Sequence, residues 1–150
     1  MGNIYRTGDI GLVKSAKKAA KLYKRAVELG DPNAMCCLGG MYEHGEGEIK
    51  LDKKKARQLF QMAADRGHPT AQQNIGTCYH RDGQLEAAFR HFKMAAEQGL
   101  TFAQYNVGYC YESGGGVERD LDEARRWYAR AAAKGHEGAI EVLAELNHSH

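Results

Sequence analysis

The sequence predicts an all-α fold, a right-handed α-solenoid built from antiparallel helix pairs. Three observations carry that expectation. Proline is nearly absent, two residues against eighteen glycines in 150, as in a chain whose helices run uninterrupted. Gly30, Gly67, Gly99 and Gly135 fall 37, 32 and 36 residues apart. Ala34, Ala71, Ala103 and Ala139 repeat those separations, and so do Ala19, Ala56, Ala88 and Ala124. Three markers with one uneven spacing describe an internal repeat of helical-hairpin length.

Each element of the unit has its own reason. The first helix runs from about Ala34 to Glu43, where "LGGMY", "IGTCY" and "VGYCY" align. A glycine inside a helix costs roughly 1 kcal/mol against alanine, so Gly39, Gly76 and Gly108 imply a second helix in close approach. Tyr42, Tyr79 and Tyr111 follow three residues later on the same face. The second helix runs from about Lys53 to Arg66. Ala56, Phe60 and Ala63 form an apolar stripe of period 3.6, repeated by Ala88/Phe92/Ala95 and Ala124/Tyr128/Ala131. Asp52, Asp120 and, in the same register, Ser15 are suited to N-caps, and Asp120 with Glu123 spells a capping box. Gly67, Gly99 and Gly135 suit left-handed positions after the second helices. Pro32 and Pro69 fit the first turn of the next helix. One hairpin cannot bury its own apolar face, so units must stack, with the first helices lining a concave side.

Residues 1–150 read as a single repeat domain. It comprises a truncated unit over 1–30, full units over about 31–67, 68–99 and 100–135, and a capping helix over about 137–147. In the truncated unit Tyr5 aligns with Tyr42, and Gly8 to Ser15 align with Gly45 to Asp52. The unit ending at Gly99 lacks the glycine-rich loop, and "HRDGQLEAAF" there reads as a tight turn.

The pattern Ala-x-x-x-[Leu/Ile/Val]-Gly-x-x-Tyr, then Gly-x-Gly-x-x-x-x-Asp, then Ala-x-x-[Leu/Trp]-[Phe/Tyr]-x-x-Ala-Ala-x-x-Gly resembles the Sel-one-like repeat (SLR) family. These are relatives of the tetratricopeptide repeats. "AQYNVGYCYESGGGVERDLDEARRWYARAAAKG" carries the fullest match. The resemblance implies non-enzymatic adaptor or scaffold work, with a protein or extended peptide held in the concave groove. It leaves two alternatives. One is a self-associating module, a homodimer formed through the N-terminal helix face of Leu22, Tyr23, Ala26 and Val27. The other is hydrolytic activity of the kind suggested for some relatives. Disulfides join paired helices in some secreted relatives, but their cysteines occupy other positions of the repeat.

Several motifs point to chemistry and do not sustain it. Gly114, Gly115 and Gly116 precede a helix as in a phosphate loop, but a helix comes before them and no Gly-Lys-Ser/Thr follows. They read as a turn, with Val117 plugging the hairpin core. Cys78 and Cys110 share a repeat position with Met41, an apolar slot. Cys36 and Cys37 are adjacent and point in different directions. His44, His80 and His91 show no metal-ligand spacing. No catalytic residue, metal or cofactor is expected.

The groove is where function is expected. In a tetratricopeptide-like hairpin, first-helix positions away from the Gly/Tyr stripe face the concave side. The first full unit places Asn33, Cys36, Cys37, Gly40 and Glu43 there. The second places Thr70, Gln73, Asn74, Thr77 and His80, with Arg81 nearby. The third places Phe102, Tyr105, Asn106 and Tyr109, and the cap places Glu141 and Glu145. Asn74 and Asn106 repeat one position, and an amide can hold a peptide backbone by its donor and its acceptor together. The aromatic residues are anchors of the kind that dominate binding energy.

Net charge is only +2, so no nucleic-acid partner is expected. The lysine-rich segments "KSAKKAAKLYKR" and "KLDKKKAR" read as solvated faces of second helices. No apolar run reaches membrane-spanning length and "MGNIYRTGDIG" has no signal-peptide core, so the expectation is no membrane insertion and a reducing cytoplasm.

Overall fold

Asp31 starts the first complete hairpin. In a computed structural model, which describes residues 17–46 and 49–148, its carboxylate accepts the Asn33 N–H at 2.9 Å and Pro32 follows in the first turn. Asp31 is a cap that the reading of Pro32 alone misses. Helix α1 covers 17–28. After it come α2 (Pro32–His44), α3 (Lys53–Asp65), α4 (Pro69–Arg81), α5 (Leu85–Glu97), α6 (Thr101–Ser113), α7 (Leu121–Ala133) and α8 (Glu137–His148). Among the described residues every regular element is helical. The readings of Tyr5, Gly8 and Ser15 lie outside the described residues. The chain divides into two compact units, Met1–His68 and Pro69–His150, each described by itself.

In the first unit, α2 ends on Gly45, left-handed at φ +66°, whose N–H returns to the Met41 carbonyl at 2.9 Å. Asp52 caps α3 by accepting the Lys55 N–H at 3.1 Å. Its own N–H reaches the Tyr42 carbonyl at 2.9 Å, which ties the end of the loop to the end of α2. The pair is antiparallel, with Gly39 facing Phe60. A methyl group on Gly39 would sit 3.0 Å from the Phe60 ring, so the glycine is what lets the ring lie down on α2. Ala20, Leu38 and Met41 form a buried cluster, with Tyr23, Val27, Tyr42, Ile49 and Leu59 packed against it.

That packing engages part of the face expected to self-associate. Tyr23 and Val27, one helical turn apart, turn toward the α2 side chains Leu38 and Met41. Ala26 is half-buried. Leu22 is 69% exposed. The four residues therefore do not form one open apolar surface.

The second unit repeats the device twice. A methyl on Gly76 would stand 2.7 Å from the Phe92 ring, and one on Gly108 would stand 2.8 Å from the Tyr128 ring. Tyr128 is wholly buried and donates its hydroxyl to Glu112 at 2.7 Å. Burial, with the Glu112 carboxylate as a second cause, pushes its phenol well above the ordinary tyrosine range. Between α4 and α5 the expected tight turn is present. Gly83 is left-handed at φ +80°, and the Gly83 and Gln84 N–H groups return to the His80 and Tyr79 carbonyls at 3.1 and 2.9 Å. Between α6 and α7 Val117 packs against the core, as expected. The Asp120 N–H reaches the Tyr111 carbonyl at 2.9 Å, matching Asp52 in the first unit.

This loop closure breaks the expected capping box. Asp120 accepts the Asp122 and Glu123 N–H groups at 3.0 and 3.1 Å. Its own N–H is already taken by Tyr111, so the Glu123 carboxylate pairs with Arg126 instead.

The second helices end in Schellman motifs. At Gly67, Gly99 and Gly135 the glycine and its successor send their N–H groups back to alanine carbonyls of the last turn. After α1 the Gly30 and Asp31 N–H groups return likewise to the Val27 and Ala26 carbonyls. The residue before the glycine adds a second tie. The Arg66 guanidinium donates to the Gly30 carbonyl at 2.8 Å, and the Lys134 ammonium donates to the Gly99 carbonyl. A shared register connects Arg66 and Lys134, but the side-chain reach to the preceding repeat is visible only in three dimensions.

Candidate functional site

In the second unit, α4 and α6 are both first helices, with α5 beneath and between them. Thr77 and His80 on α4 face Tyr105, Asn106 and Tyr109 on α6 across a cavity of about 340 Å³. Its remaining lining residues are Phe92 of α5 and Cys110 of α6. These two are 4% and 5% exposed, so they act as a closed apolar floor. A second cavity of about 280 Å³ shares His80, Tyr109 and Cys110 and continues toward Leu85, Ala88 and the Ser113–Gly115 turn. The two make one trough with two lobes.

The repeat explains why these residues meet. Positions that face the next helix of their own hairpin carry Gly76, Gly108 and the tyrosines three residues on. At the neighbouring positions, Thr77 on α4 and Asn106 and Tyr109 on α6 line the cavity between the two first helices. Five of the nine candidate residues, namely Thr77, His80, Tyr105, Asn106 and Tyr109, line one cavity.

The other four do not line it. Gln73 and Asn74 are half-buried on α4. The Gln73 carbonyl accepts the Thr77 hydroxyl at 3.1 Å, which leaves Thr77 with only lone pairs to offer. Phe102 is 66% exposed and sets its edge against His136, with 5.5 Å between ring centres. Glu141 is exposed on α8.

Tyr105 is less free than the sequence implies. Its ring stacks on His136 at 4.6 Å and leans on Tyr128 at 5.5 Å. It is a wall fixed by packing, whereas Tyr109 is 50% exposed and open to a ligand. His136 is the residue that the sequence reading misses. Its Nδ1 accepts the Ala139 N–H at 3.0 Å and so caps α8, while its ring holds Tyr105. The available signal was its position directly after Gly135, where Asp31 also stands one residue after Gly30.

Cys110 and His80 share a lining, which raises the question of a nucleophile. Burial pushes the Cys110 thiol up to about 11, so at neutral pH it carries its proton and lacks the thiolate that nucleophilic chemistry needs. Burial, and to a lesser degree Cys37, raises the Cys36 thiol to about 11 as well. All four cysteines are free. Met41 and Cys110 are buried in the expected apolar slot, whereas Cys78 is half-buried beside Arg81, with nitrogen and sulfur 3.9 Å apart. Among the described residues no group of three or more His, Cys, Asp or Glu side chains converges as a metal site. Among them, too, no helix is long and apolar enough to cross a membrane.

Comparison with known proteins places this geometry in context. The Sel1 repeat model matches residues 1–31, 32–68, 69–100 and 101–136. A Sel1 repeat protein from Oxalobacter formigenes superposes with a TM-score of 0.77 at 33% identity, covering 82% of this chain and 95% of that one. A protective antigen of uropathogenic Escherichia coli strains, displaying an SLR fold, gives a TM-score of 0.77 at 28% identity, covering 85% of this chain and 28% of that one. Cysteine rich protein B of Helicobacter pylori gives 0.64 at 21% identity, covering 88% of this chain and 97% of that one, a likeness of fold. Among curated proteins no sequence matches significantly. The all-α repeat fold read from the glycine and alanine spacing is the fold of these neighbours.

Proposed function

The chain belongs to the Sel1 repeat family, and on that premise we propose that it is a non-enzymatic adaptor that holds an extended peptide segment of a protein partner in the α4/α6 trough. The observation that carries this reading is the cavity walled by Thr77, His80, Tyr105, Asn106 and Tyr109 over a floor of Phe92 and Cys110. An apolar floor with a few polar groups at its rim is the composition of a binding site. The half-buried Asn106 lines that cavity. One residue of an extended chain presents an N–H and a carbonyl side by side, which an amide can pair with together. Tyr109 adds a rigid ring with little conformational freedom to lose.

The hydrolytic alternative gains nothing from this arrangement, because Cys110 is protonated and no carboxylate lines the cavity. Self-association through α1 is not preferred, because Tyr23 and Val27 already pack against the Ala20, Leu38 and Met41 cluster.

The test is selection of peptides from a random display library on the folded chain, followed by binding measurements on purified variants. Asn106→Ala is expected to weaken selected peptides about tenfold, the worth of one or two lost hydrogen bonds. Tyr109→Ala is expected to weaken them by at least as much. Helical content should be unchanged in both. Undiminished binding by both variants would remove the trough from the account.

A further inference from the structure

Resting on the groove-binding reading, we infer that His136, which does not line the trough, is a positioning residue for it: its ring holds the Tyr105 wall in place, and peptide affinity depends on that hold.

The contacts belong to the ring. Tyr105 lines the cavity and is half-buried. Its ring lies nearly parallel to the imidazole of His136, with 24° between the planes and 4.6 Å between the centres. Phe102, three residues earlier on α6, sets its edge against the same imidazole at 5.5 Å and 87°. His136 is therefore met by two aromatic side chains of α6, one by its face and one by its edge, the arrangements that aromatic rings prefer. Gly138 keeps the space for the stack. A methyl group there would stand 3.1 Å from His136 Cε1 and 3.5 Å from the Tyr105 ring, and this in the first turn of α8, although glycine is a poor helix former.

His136 has a second role, and its chemical need is different. Its Nδ1 accepts the Ala139 N–H at 3.0 Å and caps α8. That bond requires only an acceptor. Asp31 supplies one in the same register with a carboxylate, which accepts the Asn33 N–H at 2.9 Å. Leu100, at the same position before α6, makes no side-chain cap bond. A cap alone would be met by an aspartate. What the imidazole adds is a flat face, and Tyr105 occupies it. A wall already fixed before binding spares the ligand the ordering of that side chain, so the stack favours the bound state without touching the peptide.

Two substitutions in the full chain separate the two roles, read with a peptide selected from a random display library on the intact chain. His136→Asp keeps an acceptor and removes the ring. It should leave the Ala139 amide protected from hydrogen exchange and weaken the peptide about threefold to tenfold, the range for one side chain that must be ordered on binding. His136→Phe keeps a ring and removes the acceptor. It should bind within about twofold of the intact chain, while the Ala139 amide exchanges faster. A residue that only caps α8 would give the reverse. That reverse pattern, an equal loss in both variants, or a loss in His136→Asp accompanied by lost Ala139 protection would overturn this inference. Weakening by Asn106→Ala and Tyr109→Ala with none by His136→Asp would leave the trough as a binding site and remove only His136 from it. Undiminished binding by all three, or a folded chain that enriches no peptide, would overturn the trough as well.

Discussion

The first-helix faces of α2 and α6 occupy the same register, yet they carry different side chains. Gly39 and Gly108 match, and so do the rings lying on them, Phe60 and Tyr128. Where α6 presents Asn106 and Tyr109, α2 presents Cys37 and Gly40. The inward positions are held by the geometry of close approach, since each ring needs a helix with no side chain beneath it. The outward positions are free of that demand, and there one helix carries an amide and an aromatic ring while the other carries a thiol and nothing. Packing explains what repeats, and binding is to be sought in what does not.

Breaking the packing half of this comparison should give the largest effects. Tyr128 fills the core of the α6/α7 hairpin and pairs with Glu112. Tyr128→Ala is expected to cost about 3–5 kcal/mol, as for other large buried aromatics, measured by urea denaturation. Gly108→Ala puts a methyl 2.8 Å from that immobile ring, and a cost of about 1–3 kcal/mol is expected.

The neighbouring glycines Gly39 and Gly40 sharpen the point, because they share a helix and differ only in what a methyl would meet. Gly40 has nothing within 4 Å, whereas Gly39 meets Phe60 at 3.0 Å. Gly40→Ala should stabilise the chain by up to about 1 kcal/mol through helix propensity. Gly39→Ala should fail to give that gain. Equal stabilisation by both would mean that close approach is not why Gly39 is there.

Smaller effects come from the thiols. At neutral pH a disulfide-exchange reagent should modify exposed Cys37 first, and Cys36 and Cys110, both raised to about 11, far more slowly. Unfolding should make all four equally reactive. The same shifts set a direction with pH. A thiol that keeps its proton in the folded state but loses it near pH 8.5–9 when unfolded favours unfolding as pH rises. Stability should therefore decline from about pH 9 toward 11. A flat denaturation midpoint across that window would contradict the burial of Cys110.

The hairpins were legible in the sequence because their cause is periodic. Gly39, Gly76 and Gly108 recur for one steric reason, and so do the glycines ending the second helices. The trough was legible by half. Thr77, His80, Tyr105, Asn106 and Tyr109 follow from register. Gln73 and Phe102 stand on the same helices but do not line the cavity, which depends on the separation and tilt of two helices rather than on residue spacing. The role of His136 rests on a ring stack with Tyr105 and a bond to the α8 backbone, and neither leaves a periodic trace. The capping box at Asp120 and Glu123 had the right residues, but loop closure had already taken the N–H that it needed.

The most direct test of the division between packing and binding positions is one titration series. The affinity of a peptide selected on the intact chain would be measured against Asn106→Ala and against Cys37→Ala, the same repeat position on α2. The account predicts about a tenfold loss for Asn106→Ala, none for Cys37→Ala, and unchanged stability in both. Equal affinities for the two variants, or a loss confined to Cys37→Ala, would contradict it.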